Sequence, residues 1–154
     1  IMTNYQTLQQ QVLALLGDES DVIANLANIS SILFMELEQI NWAGFYLHKN
    51  DELVLGPFQG KPACIRIPMG KGVCGTAAEL LSVQRIADVH DFPGHIACDA
   101  ASNSEIVIPL VVNGELFGVL DIDAPIANRF TEEDETGLVA IAELLTQHIE
   151  RVAS

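Results

Sequence analysis

Three cysteines, a close pair of aspartates, two histidines in one segment and two evenly spaced aromatic residues are the groups of this 154-residue chain that could do chemistry. Cys64, Cys74 and Cys98 lie 10 and then 24 residues apart, and none belongs to a Cys-x-x-Cys pair. A thiol attacks only as the thiolate, which helix N-termini and neighbouring cations favour. Each cysteine has loop-forming neighbours: Pro62 before Cys64, Gly72 and Gly75 around Cys74, Gly94 and His95 before Cys98. Cys74, just ahead of a predicted helix, and Cys98 compete as the nucleophile, and three small buried side chains are the plain alternative. Metal binding is the sharper rival, since His90, His95, Cys98 and another cysteine would make a four-ligand set. Only His95 and Cys98 are close in sequence, whereas structural zinc sites draw on paired close ligands, so no metal is expected.

Asp121 and Asp123 stand two apart in a predicted strand and therefore point to one face, beyond Phe117 and Val119. Either that face ends in solvent before Pro125, or it floors a pocket in which crowded carboxylates must share protons. In the second case like charges raise one another's pKa, and a neutral carboxyl can donate to a ligand oxygen. Trp42 and Tyr46, four apart on another strand, also share a face. They read as core side chains or as the walls of a small apolar pocket.

The elements that must position these groups are legible from periodicity. Leu8, Val12, Leu15 and Leu16 predict a first helix, and Val22, Leu26, Ile29, Leu33, Leu37 and Ile40 a second. Residues 42–48 and 53–58 read as a hairpin around a polar turn, 65–67 and 83–86 as short strands, and 77–81 as a short helix after the glycines. Residues 88–104 lack any period, and a loop of that length in a compact domain is usually functional. Residues 106–112 and 115–122 are strands joined by Asn113-Gly114, a strong hairpin signal. Thr131 and Asp134 mark the start of a C-terminal helix whose apolar face carries Leu138, Ile141, Leu145 and Ile149. Helices around a central antiparallel sheet make an α+β fold, expected as one domain over residues 1–154.

Composition excludes some partners. The formal charge is −14 and the seven basic residues are scattered, which argues against nucleic acid and anionic membrane. The uncharged, largely apolar stretch of residues 22–35 is too short and too polar to span a bilayer. No basic-then-apolar leader opens the chain, so a cytoplasmic location is expected, where cysteines stay free or catalytic.

Five blocks carry a family resemblance: Asn41-Trp42-Ala43-Gly44-Phe45-Tyr46, Leu55-Gly56-Pro57-Phe58-Gln59-Gly60, Gly72-Val73-Cys74-Gly75-Thr76, residues 94–105 around Cys98, and Gly118-Val119-Leu120-Asp121-Ile122-Asp123. In order and spacing they resemble the free methionine-R-sulfoxide reductases. The resemblance implies a GAF fold, related to PAS domains, with helices at both ends packed on the sheet. It further implies Cys98 as nucleophile, Cys64 as the principal and Cys74 as a secondary resolving cysteine. Glu105, Asp121 and Asp123 would hold the sulfoxide, and Trp42 and Tyr46 would shape the pocket for the methyl-sulfur group. The implied partners are free methionine sulfoxide and thioredoxin, with an external dithiol in place of any bound cofactor; self-association is left open. A regulatory GAF module that senses a ligand or redox state is the alternative, and turnover separates the two.

One conflict stands within this reading. Regular pairing around Asn113-Gly114 sets Glu105 opposite Ile122, so that Glu105 faces away from Asp121 and Asp123. Pro109 and Gly118 would then be opposed, and both are frequent markers of a bulge. A bulge near either residue is therefore predicted, bringing Glu105 into one cluster with the two aspartates near Cys98.

Overall fold

A computed structural model describes residues 3–95 and 101–153 of the chain. Two helices lead, α1 (Tyr5–Leu16) and α2 (Val22–Glu36), each started by a side-chain cap: Asn4 accepts from the Thr7 N–H and Asp21 from the Ala24 N–H. The buried stripe of α1 is Leu8, Val12 and Leu16; Leu15, expected on that face, stands at its edge and is exposed. Helix α2 ends at Glu36, short of the expected Ile40, because Leu37 is already extended.

A six-stranded antiparallel sheet follows, in the order β3-β2-β1-β6-β5-β4. Its strands are β1 (Trp42–Lys49), β2 (Glu52–Gly60), β3 (Arg66–Pro68), β4 (Gln84–Ile86), β5 (Ser104–Val112) and β6 (Glu115–Ala124). The β5–β6 turn has positive φ at both Asn113 and Gly114, as a two-residue turn matched to strand twist requires. The segment expected as an unbroken loop holds a short 3₁₀ turn, Val89–Asp91, and gives way to β5 at Ser104.

Helix α3 (Gly72–Leu80) starts five residues earlier than periodicity suggested. Its glycines read as helix breakers, yet Gly75 serves close approach: a Cβ there would lie 2.5 Å from the Pro68 carbonyl oxygen. Helix α4 (Glu132–Ala153) opens with a reciprocal cap in which the Asp134 N–H donates to Thr131 Oγ1 and the Thr131 N–H donates to the Asp134 carboxylate.

Alternation along the central strands divides the core in two. Ala43, Phe45, Leu47, Ile106, Ile108, Leu120 and Ile122 face the layer of α1, α2 and α4. Trp42, Tyr46, Val107 and Val119 face the other way, where α3 and its Cys74 cover part of the sheet. The two faces thus separate a mainly apolar core under the helices from a surface that carries the acidic groups.

Candidate active site

The register of β5 and β6 decides what that second face carries. Val111 pairs with Leu116 but Leu110 with Gly118, so Phe117 is one residue extra and the register shifts there. From that point on Pro109 opposes Val119, Val107 opposes Asp121 and Glu105 opposes Asp123. The predicted bulge therefore lies beside Gly118, and the three acids share one face. Gly118 allows it: an added Cβ would collide with the Tyr46 carbonyl oxygen on the neighbouring strand.

Strand β1 completes the floor. Trp42 pairs with Asp123 and Gly44 with Asp121, and the glycine lets Phe58 of β2 pack directly against β1 beside the deeper aspartate. Glu105 and Asp121 are buried, with 8% and 5% of their surface exposed. Cys74, in the first turn of α3, lies over them with its Sγ 3.8 Å from Glu105 Oε2. Trp42 and Tyr46 stack with ring centroids 6.0 Å apart, and Trp42 also stacks on Phe58 at 5.1 Å.

Burial in a crowd of like charges sets the protonation of this cluster. Glu105 is pushed well above the usual carboxylate range by desolvation first and by the charge of Asp121 second. Asp121 is raised by desolvation and then by Asp123, but its hydrogen bond with Glu105 acts the other way. Both carboxyls are thus raised and hydrogen-bonded to each other, so the pair shares a proton. Asp121 Oδ1 is buried with no hydrogen-bond partner among the described residues. Burial, followed by Asp121 and Glu105, likewise keeps Cys74 a neutral thiol, against the activation that its place at a helix start suggested. Desolvation outweighs the helix terminus here.

The resulting cavity, about 50 Å³, has room for roughly four waters. Besides the predicted residues it is lined by Lys61, Lys71 and Ser102, which sequence reasoning did not select, and by His95, which it had weighed only as a metal ligand. The two lysines lie apart in sequence among scattered basic residues, and only the fold brings them to one rim. His95 is held below the ordinary imidazole value by burial and then by His90. His90 itself is exposed and bonded to Asp88, with Nδ1 2.7 Å from its carboxylate. It does not join the pocket lining. Among the described residues, Cys74, Glu105 and Asp121 present donor atoms within 4.8 Å of one another, the one grouping that could close on a small cation. Cys64 is disulfide-bonded and Cys74 is free. Cys98, the expected partner of Cys64, lies outside the described residues, while His95 and Ser102 on either side of it border the pocket.

Fold and site together define a GAF domain whose sheet floors a small acidic pocket, and the GAF domain family model matches residues 24–150. The chain is 61% identical to the free methionine-R-sulfoxide reductase of Escherichia coli over 134 residues, 87% of this chain and 81% of that protein. The structure of that enzyme from Staphylococcus aureus in complex with substrate matches with a TM-score of 0.93 at 52% identity, over 97% of each chain. The Neisseria meningitidis enzyme in complex with its substrate matches with a TM-score of 0.93 at 42% identity, over 97% of this chain and 90% of that one. The chain belongs to the free methionine-R-sulfoxide reductase family and is an enzyme of it. Among the described residues no helix is long and apolar enough to cross a membrane.

Proposed function

We propose that this protein, as one GAF domain over residues 1–154, reduces free L-methionine-(R)-sulfoxide to methionine in the cytoplasm. The observation that carries the reading is the cluster in which buried, proton-sharing Glu105 and Asp121 stand with half-buried Asp123 beside Trp42 and Tyr46. A sulfoxide has a polar oxygen and an apolar methyl on one sulfur. The acid cluster suits the oxygen, and the stacked aromatic rings suit the methyl. Lys61 and Lys71 at the rim of an anionic floor give the two polarities that a zwitterionic amino acid requires.

In the first step the Cys98 thiolate attacks the sulfoxide sulfur while Glu105 donates its proton to the departing oxygen. The bond so formed between the two sulfurs and the sulfoxide S–O bond then break as the oxygen is bonded to the Cys98 sulfur, leaving Cys98 as sulfenic acid and releasing methionine. In the second step the Cys64 thiol attacks the Cys98 sulfur; the S–O bond breaks, an S–S bond forms and the oxygen departs as water. Cys64 is the principal resolving cysteine, and Cys74 is secondary. A thioredoxin-type dithiol then returns the disulfide to two thiols and is itself oxidised, so electrons arrive without a bound cofactor.

The test is dithiol consumption with thioredoxin as reductant, offered each sulfoxide epimer as the free amino acid and within a peptide. Turnover confined to the free R epimer is expected. Equal rates on the peptide, or binding without consumption, would refute the reading.

A further inference from the structure

The aromatic rings of Trp42 and Tyr46 would serve as pocket walls equally well without polar atoms, yet both carry one and both use it on the same stretch of chain. Trp42 Nε1–H donates to the Lys61 carbonyl at 3.1 Å, and the Tyr46 hydroxyl donates to the Cys64 carbonyl at 2.8 Å. Residues 61–64 lie between β2 and β3, beyond the reach of their ladder, whose last contact is the Leu55 N–H on the Ile65 carbonyl at 2.8 Å. Gly60, at the end of β2 with φ 134°, lets this arrangement form, because a Cβ there would lie 2.6 Å from Trp42 Cδ1. The segment is thereby pinned at each end to side chains of β1, the strand that also pairs with Asp121 and Asp123.

We propose that Trp42 and Tyr46 are positioning residues for resolution: their hydrogen bonds to the Lys61 and Cys64 carbonyls hold Cys64 where it closes on the oxidised nucleophile. This inference rests on the reading of Cys98 as nucleophile and Cys64 as resolver. Disulfide closure demands that the two Cα atoms lie within about 7 Å with their Cβ atoms facing. Anchoring the main chain on both sides of Cys64 confines the change between thiol and disulfide to rotation of its side chain. It keeps the local thiol concentration high without a loop rearrangement. The bond changes are those of the second step: the Cys98 S–O bond breaks, the S–S bond forms, and the Cys64 proton leaves with the oxygen as water.

The experiment bypasses the substrate pocket. Reduced enzyme is oxidised by a stoichiometric pulse of hydrogen peroxide, and sulfenic acid captured by dimedone competes with disulfide formation, both read by mass spectrometry. Tyr46→Phe and Trp42→Phe each keep a ring and lose a donor, and each is expected to slow closure about five- to tenfold, the worth of one hydrogen bond. The dimedone-trapped fraction at Cys98 should rise with it, and Cys64→Ser should give the maximum. A role limited to walling the pocket would alter the KM for methionine sulfoxide and leave closure after peroxide untouched. Closure at the wild-type rate in both variants overturns the proposal. Absence of any Cys98 adduct in Cys64→Ser would instead overturn the mechanism on which it stands.

Discussion

Glu105 and Asp123 face each other directly across the β5–β6 ladder, and they do so only because Phe117 is one residue too many for its partner strand. Without that residue every side chain of β5 from Leu110 back to Ser104 would meet the opposite parity of β6, and Glu105 would oppose Ile122 in the apolar core. The acid cluster is thus a product of register.

The cysteines should separate kinetically. Cys98→Ser abolishes turnover; Cys64→Ser releases about one equivalent of methionine per enzyme and then stalls; Cys74→Ser is milder. Quenched single-turnover assays with and without thioredoxin decide this, and sustained turnover in Cys98→Ser would show that another group attacks.

Glu105→Gln should lower methionine formation in a single turnover by roughly 10²–10⁴-fold, the contribution of a positioned proton donor. Asp121→Asn should also slow the step, with a diagnostic pH profile. Asp121 raises Glu105, so the alkaline limb, where the acid loses its proton, should move to lower pH in the variant. An unmoved limb would take Glu105 out of the role.

The same groups predict how stability depends on pH. Glu105 and Asp121 bind protons more tightly folded than unfolded. Above the ordinary carboxylate value of about 4, and up to their raised values, the folded state holds the extra protons, so stability falls as pH rises. Asp134 behaves oppositely. Burial works against its charge, but the Thr131 N–H, the Tyr5 hydroxyl and Arg129 hold its pKa down, so its contribution is present at neutral pH and lost on acidification. Urea midpoints measured across pH should show Asp121→Asn flattening the fall on the alkaline side, while Asp134→Asn flattens the fall on the acid side.

Two backbone sites should be costly to change. Gly118→Ala drives a methyl into the Tyr46 carbonyl and should destabilise the fold by about 1–3 kcal/mol or more. Asp134→Ala removes the reciprocal cap of α4 and a 2.6 Å bond from the Tyr5 hydroxyl, for a loss of about 1–3 kcal/mol. Denaturant titration at fixed pH measures both, and a wild-type midpoint in either variant would contradict the packing described.

Much of this site was legible in advance for identifiable reasons. The Asn113-Gly114 turn fixed one end of the β5–β6 register, and parity then left Glu105 on the wrong face, so a bulge was demanded by the conflict itself. The start of α3 was not legible, because glycines that permit close approach to the Pro68 carbonyl look in sequence like residues that end helices. The neutral state of Cys74 was equally hidden: its place in a first turn favours a thiolate, and only the fold shows that buried carboxyls surround it. Lys61 and Lys71 were passed over because their convergence depends on the β2–β3 connection and the N-cap of α3, a relation no local pattern encodes.

The alternation of the central strands also yields a map for directed evolution. On β1 positions 42 and 46 line the pocket, and on β5 and β6 positions 105, 121 and 123 do, while their immediate neighbours pack under α1, α2 and α4. A library confined to these pocket positions explores which small molecule is accepted; a library confined to their neighbours explores how well the chain folds. Gains found in the second can be carried into the first as a reserve of tolerance for substitutions that would otherwise unfold the protein.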